Sequence, residues 1–311
     1  MFGKKTVVDM INRSAENEAD RRKFLKAAGL AGMGVVGSSA MIGSSTLSAS
    51  AAPSDGPSDA AILNFALNLE YIEAEFYLNA YYGWGLLDSL TTGKGTRGRV
   101  TGGRKVHFKT KAIANYAREI AADEGNHVAF LRSALGSAAV ARPAINLKES
   151  FTAAARAAGL INSKQTFDPF ANENNFLLAA FIFEDVGVTA YKGAAPLIDN
   201  KGYLEVAAGI LAVEAYHAGI VRTSLYSKGL YDAAAKISAA RDSLDGKSDD
   251  DRGIGNKNRA NLVPTDANAI VYSRTPANVL NIVYLTPKKV SKGGFYPSGL
   301  NGEIKTSNAN G

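Results

Sequence analysis

Two of the three histidines in the chain stand three residues after a glutamate, in Glu124-Gly-Asn-His127 and Glu214-Ala-Tyr-His217. On a helix, positions i and i+3 project from one face about one turn apart. Each motif therefore offers a carboxylate oxygen and an imidazole nitrogen to the same point in space. Such a mixed set can hold a divalent metal ion. The chain has no cysteine, which excludes thiolate metal sites, iron–sulfur clusters, cysteine nucleophiles and disulfides. Any metal must be held by histidine and carboxylate.

A further carboxylate, Glu184, lies inside the apolar run NNFLLAAFIFEDVGVTAY. Burying it is unfavourable unless something positive pairs with it. An internal repeat supplies the partner. At an offset of 114, Leu63, Leu67, Glu70, Ala74 and Tyr77 fall on Leu177, Phe181, Glu184, Val188 and Tyr191. That spacing is one helical stripe with a Glu in it and a Tyr two turns on. At an offset of 90, Ile120, Glu124 and His127 fall on Ile210, Glu214 and His217. The chain thus holds two helix pairs, each with a lone Glu and a Glu-x-x-His, the inventory of di-metal carboxylate bundles. Four carboxylates balance the charge of two divalent ions. The expected ligands are Glu70, Glu124, His127, Glu184, Glu214 and His217, and the expected cofactor is two divalent metal ions. Glu73, one turn after Glu70, is the alternative first-helix ligand; Gly187 holds its place in the third helix. Asp185 either assists Glu184 or lies off the face. Tyr77 and Tyr191 either hydrogen-bond ligands or simply pack. His107 sits in a basic loop and reads as a surface residue.

The elements that must position these residues are four long helices. The first is AAILNFALNLEYIEAEFYLNAYYGWG, stopped at Gly83 and Gly85. The second runs over KTKAIANYAREIAADEGNHVAFLRSAL, the third over NENNFLLAAFIFEDVGVTAYKGAA, and the fourth over NKGYLEVAAGILAVEAYHAGIVRTSLYSKG. The connection between the second and third holds one short helix near LKESFTAAARAAGLI. The fold expected is all-α, a four-helix bundle over 58–232. The segment DSLTTGKGTRGRVTGGRKVHF reads as a solvated basic loop or small hairpin. Residues 233–311 read as a loop-rich extension with one short helix at TPANVLNIVYL, unnecessary for the metal site. Removing them is expected to spare it.

Residues 1–51 form a leader. Arg21-Arg22, then Phe-Leu-Lys, a weakly apolar Gly/Ala-rich run and Ala49-Ser50-Ala51 match a twin-arginine export signal cleaved before Ala52. An uncleaved membrane anchor is the alternative; the run is short and broken by Gly and Ser. The expected route is the twin-arginine translocase and the expected address periplasm or cell surface, with no membrane span left after cleavage. The formal net charge is +6. Half of it belongs to the leader, and the remainder is too small to argue for nucleic acid.

LNFALNLEYIEAEFYLNAYYGWG, EGNHVAFLR and FEDVGVTAYKGAAPL, with the C-terminal RTPANVLNIVY and GGFYPSGLNG, resemble the ferritin-like proteins called desiccation-related proteins. The resemblance covers about residues 58–303. It implies a ferritin-like bundle with a long crossover between the second and third helices, and iron or manganese at the matched positions. The reading that follows is redox chemistry with O2 or peroxide, of ferroxidase or manganese-catalase type. The other reading is a structural subunit of an exported assembly, homo-oligomeric, with a staple or vestigial metal. An iron-storage cage fits less well with the large insert and extension.

Overall fold

The computed structural model of the chain describes residues 56–310; the arginine pair and cleavage motif of the leader lie outside the described residues. Helix α1 (Asp59–Tyr82) starts where the Ser58 side chain accepts a hydrogen bond from the Ala61 amide. It stops at Gly83, whose φ of 89° lies in the left-handed region that glycine enters without strain. Helix α2 (Lys111–Leu135) follows the basic loop. The crossover contains α3 (Glu149–Ala157). Helix α4 (Glu173–Ala194) is capped by Asn172, and α5 (Lys201–Ser227) by Asn200, each side chain accepting from two amides of the first turn.

α1 packs chiefly on α2 and α4 on α5, and α1–α4 and α2–α5 contacts close the bundle. The two kinds of helix are buried differently. In α1, 19 of 24 residues are buried, and in α4, 18 of 22; in α2 only nine of 25 are, and in α5 nine of 27. The helices with a lone Glu are therefore central, apolar on nearly every face. The helices with Glu-x-x-His are amphipathic and turn one stripe inward. Helix α5 is long and apolar enough to cross a membrane by length and composition alone. It nevertheless carries Glu214, His217 and Arg222 buried among the other helices, as a core helix does.

What covers the backs of α1 and α4 is the rest of the chain. The basic loop is no hairpin: its strand β1 (Val100–Thr101) pairs in parallel with β2 (Ile145–Asn146) of the crossover. The pairing brings the two long connections together over one end of α1. Loop-rich is only partly right for the C-terminal region. The charged stretch around Arg241 is helix α6 (Tyr231–Asp245), and a second helix, α7 (Pro276–Val283), starts at the Thr275 cap as expected. A small antiparallel pair, β3 (Gly255–Asn256) with β4 (Arg259–Ala260), lies between them.

The extension is integral to the bundle. Tyr296 donates its hydroxyl to the Asn68 carbonyl of α1 at 2.7 Å. Phe295 packs edge-on against Phe151 and Phe183, and the Arg274 amide donates to the Thr189 carbonyl of α4 at 3.0 Å. Deleting 233–311 would remove this packing from the two helices that carry Glu70 and Glu184.

Candidate metal centre

The repeat in the sequence becomes an approximate two-fold arrangement of side chains. Glu70, Glu124, His127 and Glu214 offer ligand atoms all within 4.8 Å of one another, and so do Glu124, Glu184 and His217. Glu124 belongs to both groups. Its Oε2 lies 3.5 Å from His127 Nδ1 and its Oε1 3.0 Å from His217 Nδ1. Both imidazoles therefore turn Nδ1 inward, with ring centres 6.4 Å apart. Glu70 Oε2 is 3.1 Å from His127 Nδ1, Glu214 Oε1 is 3.9 Å from it, and Glu184 Oε2 is 3.7 Å from His217 Nδ1.

The tyrosines cross the bundle. Tyr77 of α1 donates its hydroxyl to Glu184 Oε1 of α4, and Tyr191 of α4 donates to Glu70 Oε1 of α1. Each lone Glu is thereby held by one oxygen and left with the other facing the centre. Burial, with the neighbouring carboxylates adding to it, pushes both phenols well above their usual range, so they remain proton donors.

The donor set fits a pair of divalent cations. Both oxygens of Glu124, both of Glu214, Glu184 Oε2 and His217 Nδ1 are buried and make no hydrogen bond. Buried polar atoms are nearly always satisfied, and exceptions call for a missing partner such as an ion. Among the described residues no Lys or Arg supplies that partner inside the cluster, so the histidines serve as its counterions. Burial alone would lower His127, but the Glu70 and Glu124 carboxylates outweigh it and hold it at about 11. His217 is held at about 10 in the same way, against burial, by Glu184, Asp123 and Glu124. Burial raises Glu70 to about 7 and Glu184 to about 8, with the Glu124 charge adding and the imidazoliums opposing. Glu214 is driven well above its usual range by burial and by Glu73 and Glu124. Only for Glu124 does the closeness of both imidazoliums outweigh burial, leaving it well below the carboxylate range.

The structure brings all six expected ligands together and separates the remaining candidates. Glu73 is buried in α1 but stands outside both convergent groups. It faces Gly187, where an added Cβ would collide with Glu214 Oε2, so the missing side chain makes room for Glu214. Asp185 lies off the face: it turns from Glu184 to accept from Arg222 at 2.7 Å and Arg241 at 2.8 Å. His107 is exposed. Sequence reasoning missed Asp123, whose Oδ2 lies 3.1 Å from His217 Nε2. Its place directly before Glu124 was the only signal, and it says nothing about which helix lies opposite.

A family model described as ferritin-like domain matches residues 58–227, the span from the cap of α1 to the end of α5. The chain is 30% identical over 265 residues to desiccation-related protein PCC13-62 of Craterostigma plantagineum, covering 79% of this chain and 84% of that protein. It is 28% identical over 265 residues to ferritin-like catalase Nec2 of Nesocodon mauritianus, with the same coverage of each chain. No solved structure gives a significant match. With four helices, two Glu-x-x-His motifs and a family model matched across the whole bundle, this chain belongs to the ferritin-like family.

Proposed function

We propose that the site holds two iron or manganese ions and that the protein disproportionates hydrogen peroxide, two H2O2 giving two H2O and one O2. The observation that carries this reading is the convergence of four buried carboxylates and two inward Nδ1 atoms, with most of the facing oxygens lacking a hydrogen bond. The similarity to a protein named a ferritin-like catalase supports peroxide as substrate. Ferroxidase chemistry, with Fe2+ and O2, uses the same residues and is the second form of the reading.

Glu70, Glu124, His127 and Glu214 would hold one ion, and Glu124, Glu184 and His217 the other. An ion pair held there would supply the two-electron redox capacity that peroxide disproportionation needs. The chain does the rest. Glu124 directs one oxygen to each half. Tyr77 and Tyr191 fix the lone glutamates by their outer oxygens, so that these cannot swing away when charge changes. Leu67, Ile120 and Ile210 are buried one turn before Glu70, Glu124 and Glu214, on the same helix faces.

The extension packs on its own bundle, so nothing specific favours the structural-subunit reading. Export by the twin-arginine route remains part of the proposal and rests on the leader alone. One experiment tests the whole. The protein is purified from the exported fraction without chelator, sequenced at its N-terminus, analysed for metal, and given H2O2 in an oxygen electrode cell. About two iron or manganese per chain are expected, with O2 evolution lost in Glu124→Ala and His217→Ala. A loaded protein that neither evolves O2 nor oxidises Fe2+ would overturn the redox reading, and a chain beginning at Met1 would overturn cleavage.

A further inference from the structure

The two halves of the site are not equivalent. The group around His127 has four members, and the group around His217 has three. The three-member half has something the other lacks. His217 directs Nδ1 to the centre, and its Nε2 meets Asp123 Oδ2 at 3.1 Å. Asp123 reaches across from α2 to α5, with its side chain 39% exposed while that of His217 is 3% exposed. The offset that maps Glu124 onto Glu214 maps Asp123 onto Val213, which has no polar side-chain atom to offer. Among the described residues, every polar contact of His127 runs through Nδ1.

A carboxylate on the outer nitrogen of a ligating imidazole fixes its tautomer and ring plane and raises its basicity. We infer that Asp123 is a positioning residue for His217, acting on one metal position of the pair. It compensates there for the fourth ligand that Glu214 provides on the other side. Without Asp123 the His217 ring would be free to turn its protonated nitrogen inward, because the three-member half has no further ligand to hold the ion in place.

This inference rests on the proposed metal centre, and its test separates the two. Mn2+ is titrated into the chelator-stripped protein by calorimetry, and by spin resonance, which distinguishes an isolated Mn2+ from a coupled pair. Wild type should take up two ions. Asp123→Ala should weaken one of the two steps by about 10- to 100-fold and leave the other within about twofold, so that isolated Mn2+ accumulates before the coupled pair appears. Asp123→Asn, which keeps an acceptor but drops the charge, should fall between. Val213→Asp should leave the step that depends on Asp123 untouched. Unfolding of the ion-free protein should be nearly unchanged in Asp123→Ala, because the side chain is half exposed. If both steps stay as in wild type, or both weaken together, the inference is overturned while the metal centre stands. A wild type that binds neither Mn2+ nor Fe2+ overturns the centre, and the inference with it.

Discussion

Two clusters of buried charge lie within this bundle, and they are built on opposite rules. On one side of α4, Arg222, Arg241 and Arg274 meet Asp185, Asp245 and Asp251, three cations for three anions. Arg274 alone reaches Asp245 at 2.5 Å, Asp251 at 2.6 Å and the Thr189 hydroxyl at 2.9 Å. On the other side, Glu70, Glu73, Glu124, Glu184 and Glu214 share two histidines and no Lys or Arg. The adjacent residues Glu184 and Asp185 belong one to each cluster. Charge that the chain neutralises with its own guanidinium groups welds α4, α5, α6 and the C-terminal segment together. Charge left in excess marks where an ion from outside belongs.

The largest expected effect breaks the balanced cluster. Arg274→Ala strands Asp245 in the interior and leaves Asp251 with Arg241 alone, and should destabilise the protein by about 3–5 kcal/mol, with or without metal, in denaturant unfolding. A loss under about 1 kcal/mol would mean that the network is wet rather than buried.

The surplus cluster should respond with the opposite sign. Glu214→Gln removes one unneutralised carboxylate, so the ion-free protein should be no less stable than wild type, and more stable at high pH. It should, however, lose the gain from metal, which for wild type is about 2.7 kcal/mol at Mn2+ a hundredfold above its dissociation constant.

The pH dependence follows from the same surplus. Glu70 and Glu184 rise from 4.5 to about 7 and about 8 on folding, and His127 and His217 from 6.5 to about 11 and about 10. The folded state therefore binds more protons than the unfolded one. That stability is fully present below the unfolded values and is lost as pH climbs through the folded ones. The melting temperature of the ion-free protein should fall from about pH 5 to about pH 9, and Mn2+ should flatten the fall, because ion binding expels those protons. Calorimetric scans with and without Mn2+ decide this; an ion-free protein that gains stability over that range contradicts the assignment.

The smallest effect tests the two-fold arrangement. Tyr77→Phe and Tyr191→Phe each remove one hydroxyl from a buried glutamate and should each lower stability by about 0.5–1.5 kcal/mol, and by similar amounts. A clear inequality between them would show that the two lone glutamates are held differently.

Much of the centre was legible because its information is local. Glu-x-x-His is an i, i+3 relation that the helix itself converts into a shared face. The two offsets then say that the halves repeat. The C-terminal end of helix α6 reads as loop in the sequence because residues such as Arg241, Asp242 and Asp245 look solvated. They form a helix because tertiary partners, not propensity, settle the segment: Arg241 bonds to Asp185, Asp251 and the Phe181 carbonyl and stacks on the Phe181 ring. The extension was misjudged for a related reason, since its Gly- and Asn-rich composition hides Phe295 and Tyr296, both fully buried against the bundle.

The sequence by itself determined the fold class, the four helices and the six residues that could act together, because helical periodicity fixes which side chains share a face. Tertiary structure alone decided how those faces are turned and what lies across from them. It set Glu124 between both histidines and Glu73 outside the convergent groups. It sent Asp185 to the arginines and laid Asp123 beside His217. These choices depend on helix rotation and on contacts between residues as far apart as Asp123 and His217, 94 positions along the chain. No spacing rule reaches that far; only the packing of α2 against α5 does.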